Sequence, residues 1–383
     1  MKKLIKGLSA VIGMLMLSTL VYAKSVTGVA IFNHSVGARQ LGMADAAVGL
    51  SDDSNAIFYN PGGLSTLTSR ELNAMYFDNI VDTRDEALSF VNPLQRGIFG
   101  RRAALGIGVK AYQGGSIEVI MADSLGNITS QRTMKAESDY MASVCYAEEI
   151  LKGVHLGAGL KYIRSTLVED YSASTVSLDA GLLVETGIKG LSIGVSMLNN
   201  GGEMKFIEEG DALPQRTVIG AGYRVKPADK VGLKLGCDYI KEKDDDSRVN
   251  LGLELGLANV VMLRTGYYTS SDLGSVTAGI GIRLGMIQLD YGYGLMEELG
   301  NLQRVAITMK WGNEVVQEAK KPVRRVVTKK VITKPVASAT TTNVKTAPKP
   351  AASKTTAVKP ASSTKKSSVK KSQPVKRRYS ISR

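Results

Sequence analysis

Few residues in this chain have the type and spacing to do chemistry. Asp52 and Asp53 stand side by side in "SDDSN". Adjacent carboxylates can hold a divalent cation or pair with a cation on a neighbouring element. Flanked by serines and without further ligand spacing, this pair reads as a helix cap and a point of pairing with a neighbouring wall, in the same segment as the candidate site residue Arg39. A second acidic run, "EKDDD" from Glu242, lacks the spaced ligands and central glycine of a calcium loop and reads as a solvated hairpin tip. His34 and His155 are isolated in sequence. There is no glycine-rich phosphate loop with its Lys and Ser, no His or Cys pair at metal spacing, and no nucleophile elbow. The chain is therefore read as a non-enzyme with no cofactor and no metal.

The remaining ionisable residues recur on one face of a period-two pattern between about Glu71 and Gly312. In "HLGAGLKY", Leu156, Ala158, Leu160 and Tyr162 alternate with His155, Gly157, Gly159 and Lys161. "VSLDAGLLVE" and "VGLKLGCDY" repeat the split, placing Asp179, Lys234 and Asp238 on the second face, and "VNLGLELGL" places Glu254 there. Arg264, Arg283 and Asp290 follow in the next strands. A solvated face would carry many Lys, Glu and Thr and few glycines, because glycine weakens a strand unless something must approach its backbone closely. Here glycine dominates, with single charges of both signs between. That composition suits a narrow polar lumen with something lodged inside it, and an apolar outer face in lipid.

The fold expected is all-β, a transmembrane antiparallel barrel of about fourteen strands, beginning near 71, 86, 102, 137, 153, 173, 189, 215, 229, 247, 259, 275, 286 and 303. Connections alternate between long ones, such as 114–136 and "NNGGEMKFIEEGDALPQ", and tight turns near Gly187, Pro227 and Gly285. One connection on the short side, "NPLQRGIFGRR", is longer than that alternation predicts. In such barrels short turns are periplasmic, so both chain ends are expected there. By strand parity Cys145 faces the lumen and Cys237 the lipid, which argues against a bridge between them. Trp311, closing the last strand, belongs at the membrane interface.

Residues 24–70 must then fill the lumen or hang outside it. Ala44, Ala46, Ala47 and Gly49 suggest a thin helix against the wall, ended by Ser51 to Ser54. Asn60-Pro61-Gly62 suggests a type II turn, with Pro61 presetting the first central position and Gly62 supplying the positive φ. The segment reads as a compact, shaped insert and not as a linker.

The chain's ends differ from its middle. Lys2, Lys3 and Lys6 precede an apolar run from Leu8 to Leu20 and then Val21-Tyr22-Ala23, a secretory signal over residues 1–23. That run is shorter than the ~20 residues a spanning helix needs. Residues 313–383 form a tail of Lys, Pro, Ala, Ser and Thr, expected to be disordered and periplasmic. From Glu318 the tail holds nineteen Lys and Arg against one acid, and the signal holds three Lys, so the overall charge of +14 leaves the rest of the chain at −7. A basic run outside the cytoplasm reads either as a solvated spacer or as a contact with cell-wall polymer or anionic headgroups, not with nucleic acid.

Three stretches together resemble the PorV/PorQ branch of FadL-type outer-membrane barrels: "GARQLGMADAAVGLSDDSNAIFYNPGGL", "NNGG" with "LPQRTVIGAGYR", and "IQLDYGYGLMEELGNLQRVAITMKW". The resemblance covers roughly residues 28 to 312 and implies an N-terminal hatch lodged in the barrel. The family has an Asn-Pro-Ala turn where this chain departs from it with Gly62. It includes hydrophobic-solute channels and a component of the type IX secretion pathway. Two roles are implied: passive, hatch-gated passage of small hydrophobic solutes across the outer membrane, or partnership with exported proteins in secretion or envelope assembly. The partners expected are outer-membrane lipid with either solutes or secreted proteins, and cell-wall polymer at the tail.

Overall fold

The computed structural model describes residues 29–32, 35–78, 83–123, 125, 127–243, 245–269, 275–295 and 301–312. The signal, His34, the segment 296–300 and the basic tail lie outside the described residues.

Among the described residues, period-two patterning produces eighteen strands. The first group is β1 (Arg70–Asp78), β2 (Arg84–Leu94), β3 (Ala103–Gln113), β4 (Ser116–Ala122), β5 (Ile128–Lys135) and β6 (Glu137–Leu151). There follow β7 (Val154–Leu167), β8 (Tyr171–Glu185), β9 (Leu191–Gly201), β10 (Glu203–Lys205), β11 (Gly210–Ala212) and β12 (Arg216–Ala228). The last are β13 (Val231–Glu242), β14 (Arg248–Leu257), β15 (Val261–Tyr268), β16 (Ser275–Leu284), β17 (Ile287–Gly294) and β18 (Leu302–Trp311). Fourteen of them close a barrel, and the closing pair sets Arg70 opposite Trp311 and Tyr76 opposite Val305. The other four form two separate hairpins, β4–β5 and β10–β11, inserted in long connections. Each barrel strand starts within two residues of the position expected from its sequence pattern.

The two faces are inverted relative to a soluble protein. Leu160 is 51 % exposed and Leu178 59 %, pointing outward, while inward-facing Lys161 and Asp179 are buried. Charges inside and aliphatics outside make sense only in lipid, where closure also leaves no unpaired strand edge. No described helix is long and apolar enough to cross a membrane. Cys145 is buried and Cys237 exposed, and neither is bridged. Trp311 stacks on Phe90 of β2 with ring centroids 6.0 Å apart.

The hatch occupies the lumen, but not as the sequence suggests. Its helices are short, Ala38–Leu41 and Ala56–Tyr59, with a 3-10 segment over Pro61–Thr66. Over 44–49 the expected helix is absent, and Ala44 and Asp45 have φ of 47° and 55°. Two demands from the wall break it. Asp238 of β13 accepts from the backbone N–H groups of both Ala47 and Val48 at 2.8 Å, taking donors a helix would use. Asp45 accepts from the hydroxyls of Ser35, Tyr59 and Tyr268 at 2.7, 3.0 and 2.7 Å. Nor is the Asn60-Pro61-Gly62 step a type II turn. Asn60 caps the 3-10 segment by accepting from Gly62 N–H at 3.1 Å, and Gly62 lacks the positive φ such a turn requires. Glycine is needed there for closeness instead, since a Cβ would meet the Gly181 carbonyl oxygen at 2.9 Å.

Val29–Phe32 lies at the long-connection end of the barrel, against Tyr112, Met141 and Met204. Gly312 follows β18 at the short-turn end. Val29 and Gly312, the first and last described residues, thus lie at opposite mouths of the barrel.

Candidate functional site

At the short-turn mouth, charges from hatch and wall converge. Arg39 pairs with Asp52 at 2.6 Å, Asp53 at 2.5 Å and Glu254 of β14 at 3.1 Å. Asp52 reaches across to Lys234 of β13 at 3.0 Å and Arg224 of β12 at 3.3 Å. The chain continues from Lys234 to Glu254 at 3.2 Å, from Glu254 to Arg264 at 2.7 Å and from Arg264 to Asp290 at 2.7 Å. Gln288 donates to Asp290 and accepts from Arg283 at the rim. These residues surround a cavity of about 60 Å³, room for water and not for a solute. Among the described residues no group of three or more His, Cys, Asp or Glu is placed to hold a metal.

The network is a latch, because Asp52 and Asp53 of the hatch each pair with Arg39, and Asp52 and Arg39 also pair with charges on the wall. Burial by itself raises the Asp52 carboxyl, but the positive charges of Arg39, Lys234 and Arg224 outweigh it and hold the group well below the usual carboxylate range. A depressed folded-state pKa gives stability that is fully present above the unfolded-state value and is lost only as pH falls through the folded-state value. The Asp52 ion pairs should therefore survive acidification from about pH 8 to about pH 5, above the ordinary Asp range. Infrared difference spectra of the parent against Asp52→Asn check this: the Asp52 carboxylate band should persist over that interval, and its replacement by a protonated-acid band by pH 5 would contradict it.

Above the latch the hatch backbone lies directly on the wall. A Cβ at Gly194, Gly222, Gly236, Gly252, Gly266 or Gly292 would come within 3.0 Å of hatch backbone between Ala38 and Gly49. Six strands thus supply a glycine belt, which is why the lumen face is so poor in side chains. Polar wall groups finish the seating: Ser192 Oγ donates to the Gly49 carbonyl at 2.6 Å, and Ala44 N–H donates to Thr277 Oγ1 at 3.1 Å. Ser54 N–H donates to Glu71 of β1 at 2.9 Å.

At the opposite mouth the site is apolar. Val29, Ile31 and Phe32 fill a cup formed by Tyr112, Met141, Ile163, Ala173, Met204 and Leu213, with Phe58 beneath. The segment is tied down at Ile31, whose N–H donates to Asp139 at 3.1 Å and whose carbonyl accepts from Lys110 Nζ at 2.6 Å. Lys110 also pairs with Asp85 at 3.5 Å.

Of the lumen charges read from sequence, Lys234, Glu254, Arg264, Arg283 and Asp290 join Arg39, Asp52 and Asp53 in the latch, while Asp238 holds hatch backbone alone. Lys161 and Asp179 pair separately at 2.7 Å. They brace a bulge of β9, where Lys161 donates to Asn199 Oδ1 and Asn199 N–H donates to Asp179. Asn60 sits against β8, its amide donating to the Leu182 carbonyl at 3.1 Å, and Pro61 and Gly62 are buried beside it. Sequence reasoning missed Arg224 and Glu71, though the parity that placed Lys234 inward would have placed Arg224 with Gly220 and Gly222. It also missed Lys110, Asp85 and Asp139, and the His155 Nδ1 contact with Ser65 Oγ at 2.8 Å, which bridges wall and hatch.

Fold and site together define a transmembrane β-barrel of the outer-membrane type, closed by an internal hatch. Two solved structures share this architecture. The toluene transporter TbuX of Ralstonia pickettii is similar over 73 % of this chain and 99 % of that one, at 10 % identity and a TM-score of 0.52. The CymD monoaromatic hydrocarbon channel is similar over 75 % of this chain and 100 % of that one, at 11 % identity and a TM-score of 0.50. No family model and no curated protein matches the sequence.

Proposed function

We propose that this chain is an outer-membrane channel that passes small hydrophobic solutes passively when its hatch moves. The observation that carries this reading is the apolar cup at the long-connection mouth, which the chain fills with its own Val29, Ile31 and Phe32. A cup that accepts aliphatic and aromatic side chains suits apolar solutes of similar size, and the glycine-belted hatch below it is the barrier they must pass. The two similar structures, a toluene transporter and a monoaromatic hydrocarbon channel, support the same reading. With the short turns facing the periplasm, Gly312 and the basic tail would lie there and the cup would face outward. Deleting residues 28–68 should raise conductance in a planar bilayer and speed uptake of a monoaromatic hydrocarbon. Unchanged values for both would sink the proposal.

A second reading, a PorV-like partner in protein secretion or envelope assembly, is favoured by the outer hairpins. Ile120, Leu125 and Ile128 around β4–β5, and Ile207 beside β10, are 53–85 % exposed, a surface suited to a protein client. Pull-down from detergent-solubilised membranes would then recover an exported protein, whereas the bare barrel alone favours the channel. Contact of the tail with cell-wall polymer belongs to this reading.

A further inference from the structure

The connection from β2 to β3, Gln95–Arg102, is eight residues long at an end where β6 and β7 are joined by two. Its path accounts for the difference. By alternation Ala103 of β3 and Tyr146 and Glu148 of β6 point outward, like their neighbours Leu105, Ile107 and Val144, which are 44–56 % exposed. Yet Ala103 and Glu148 are each only 1 % exposed. The connection folds back over the outside of the barrel and covers them.

The fold-back is anchored on Glu148. Phe99 N–H and Arg101 N–H donate to its Oε1 at 2.7 and 3.3 Å, and the Tyr146 hydroxyl donates to its Oε2 at 2.6 Å. Ile98 N–H donates to the Tyr146 hydroxyl at 3.0 Å, and Gly97 N–H to the Arg101 carbonyl at 2.8 Å, closing the loop. A glutamate on the lipid side of a barrel is costly unless its oxygens are satisfied. Here the loop satisfies both, and in doing so fixes its own tip against the wall. The tip carries Ile98, 81 % exposed, and Phe99, 69 % exposed, between Arg96 and Arg101.

We propose that Gln95–Arg102 is a bilayer anchor, with Ile98 and Phe99 inserted among the acyl chains of the leaflet bordering the short-turn end, and Arg96 and Arg101 on anionic phospholipid headgroups. Three features favour lipid over a protein partner. The patch stands on the same outward face of β3 and β6 as the exposed Leu105, Ile107 and Val144. It lies at the strand ends, where an interfacial tyrosine is expected. And its charges are all positive, complementary to an anionic leaflet.

The test uses the full chain in vesicles. Trp311 is the single tryptophan, so Phe99→Trp in a Trp311→Phe background gives one reporter, and Ile98→Trp in the same background gives a second should the first fail to fold. In phosphatidylethanolamine–phosphatidylglycerol vesicles with chains brominated near the headgroup, the indole at either position should emit to the blue, lose most of its emission relative to unbrominated lipid, and resist iodide supplied on both sides. Emission typical of water, quenched by iodide and indifferent to bromine, would overturn the anchor and leave a free or protein-docking tip. Adding Arg96→Gln and Arg101→Gln should weaken bromine quenching in these vesicles but not in phosphatidylcholine; equal quenching with and without the arginines in both would overturn the headgroup assignment.

Discussion

Replacing Arg39 by methionine is expected to open the barrel. The side chain is 13 % exposed and, among the described residues, is the only cation that contacts Asp52, Asp53 and Glu254 together. Asp52 and Glu254 would keep Lys234, but Asp53 would keep only the amide of Gln40 and the N–H of Asn55. Breaking a buried pair by removing one partner costs about 3–5 kcal/mol, because the other charge is left desolvated and uncompensated. Applied to the seated state alone, that shifts the ratio of unseated to seated hatch by about 100-fold or more. Open-channel conductance in a planar bilayer should rise accordingly, and adding Asp53→Asn should restore part of the closure. A variant whose conductance matches the parent would show that the latch does not hold the hatch.

The second large effect is steric. Gly236 faces the Ala46 carbonyl so closely that a Cβ would lie under 3.0 Å from it, and the Ala46 Cβ and a Leu50 methyl stand at 3.1 Å. Gly236→Val must push the hatch backbone off β13, at a cost of about 3 kcal/mol or more, the upper part of the range for overpacking. Gly232 lies two strand pairs below on the same face and has open space around it, so Gly232→Ala is its control. The expected result is a barrel that still shows heat-modifiable migration but whose hatch is cleaved by added protease, with the Gly232→Ala chain resistant. Equal resistance in both would mean that the belt tolerates side chains and that its glycines have another cause.

Much of the barrel was legible because a membrane strand announces itself twice, by an apolar outer face and by what the inner face lacks. "VGLKLGCDY" gave β13, the inward direction of Lys234 and Asp238, and the need for something close to Gly232 or Gly236. The hatch was legible in position but not in shape. Alanines at 44–47 promised a helix by intrinsic propensity, and wall groups far away in sequence, Asp238 and Tyr268, claimed the local donors and Asp45 instead. The same limit applies to Arg39. Its residue type was visible, but its three partners come from the hatch and from β14, and only closure of the barrel puts Glu254 within reach. The long connection after β2 broke the alternation rule for a reason sequence cannot supply, since Glu148 lies 46 residues beyond Arg102 and reads there as an ordinary strand-end charge.

That the hatch is the gate can be tested by locking it. Ser54 of the hatch and Ser89 of β2 are both buried, with their hydroxyl oxygens 2.9 Å apart. Ser54→Cys with Ser89→Cys, in a chain carrying Arg39→Met, Cys145→Ala and Cys237→Ser, should form a disulfide under mild oxidation. Conductance in one bilayer is then recorded before and after a reductant. The hatch account predicts a silent oxidised channel that opens on reduction and closes again when the oxidant returns; an open channel of the same conductance in both redox states would contradict it.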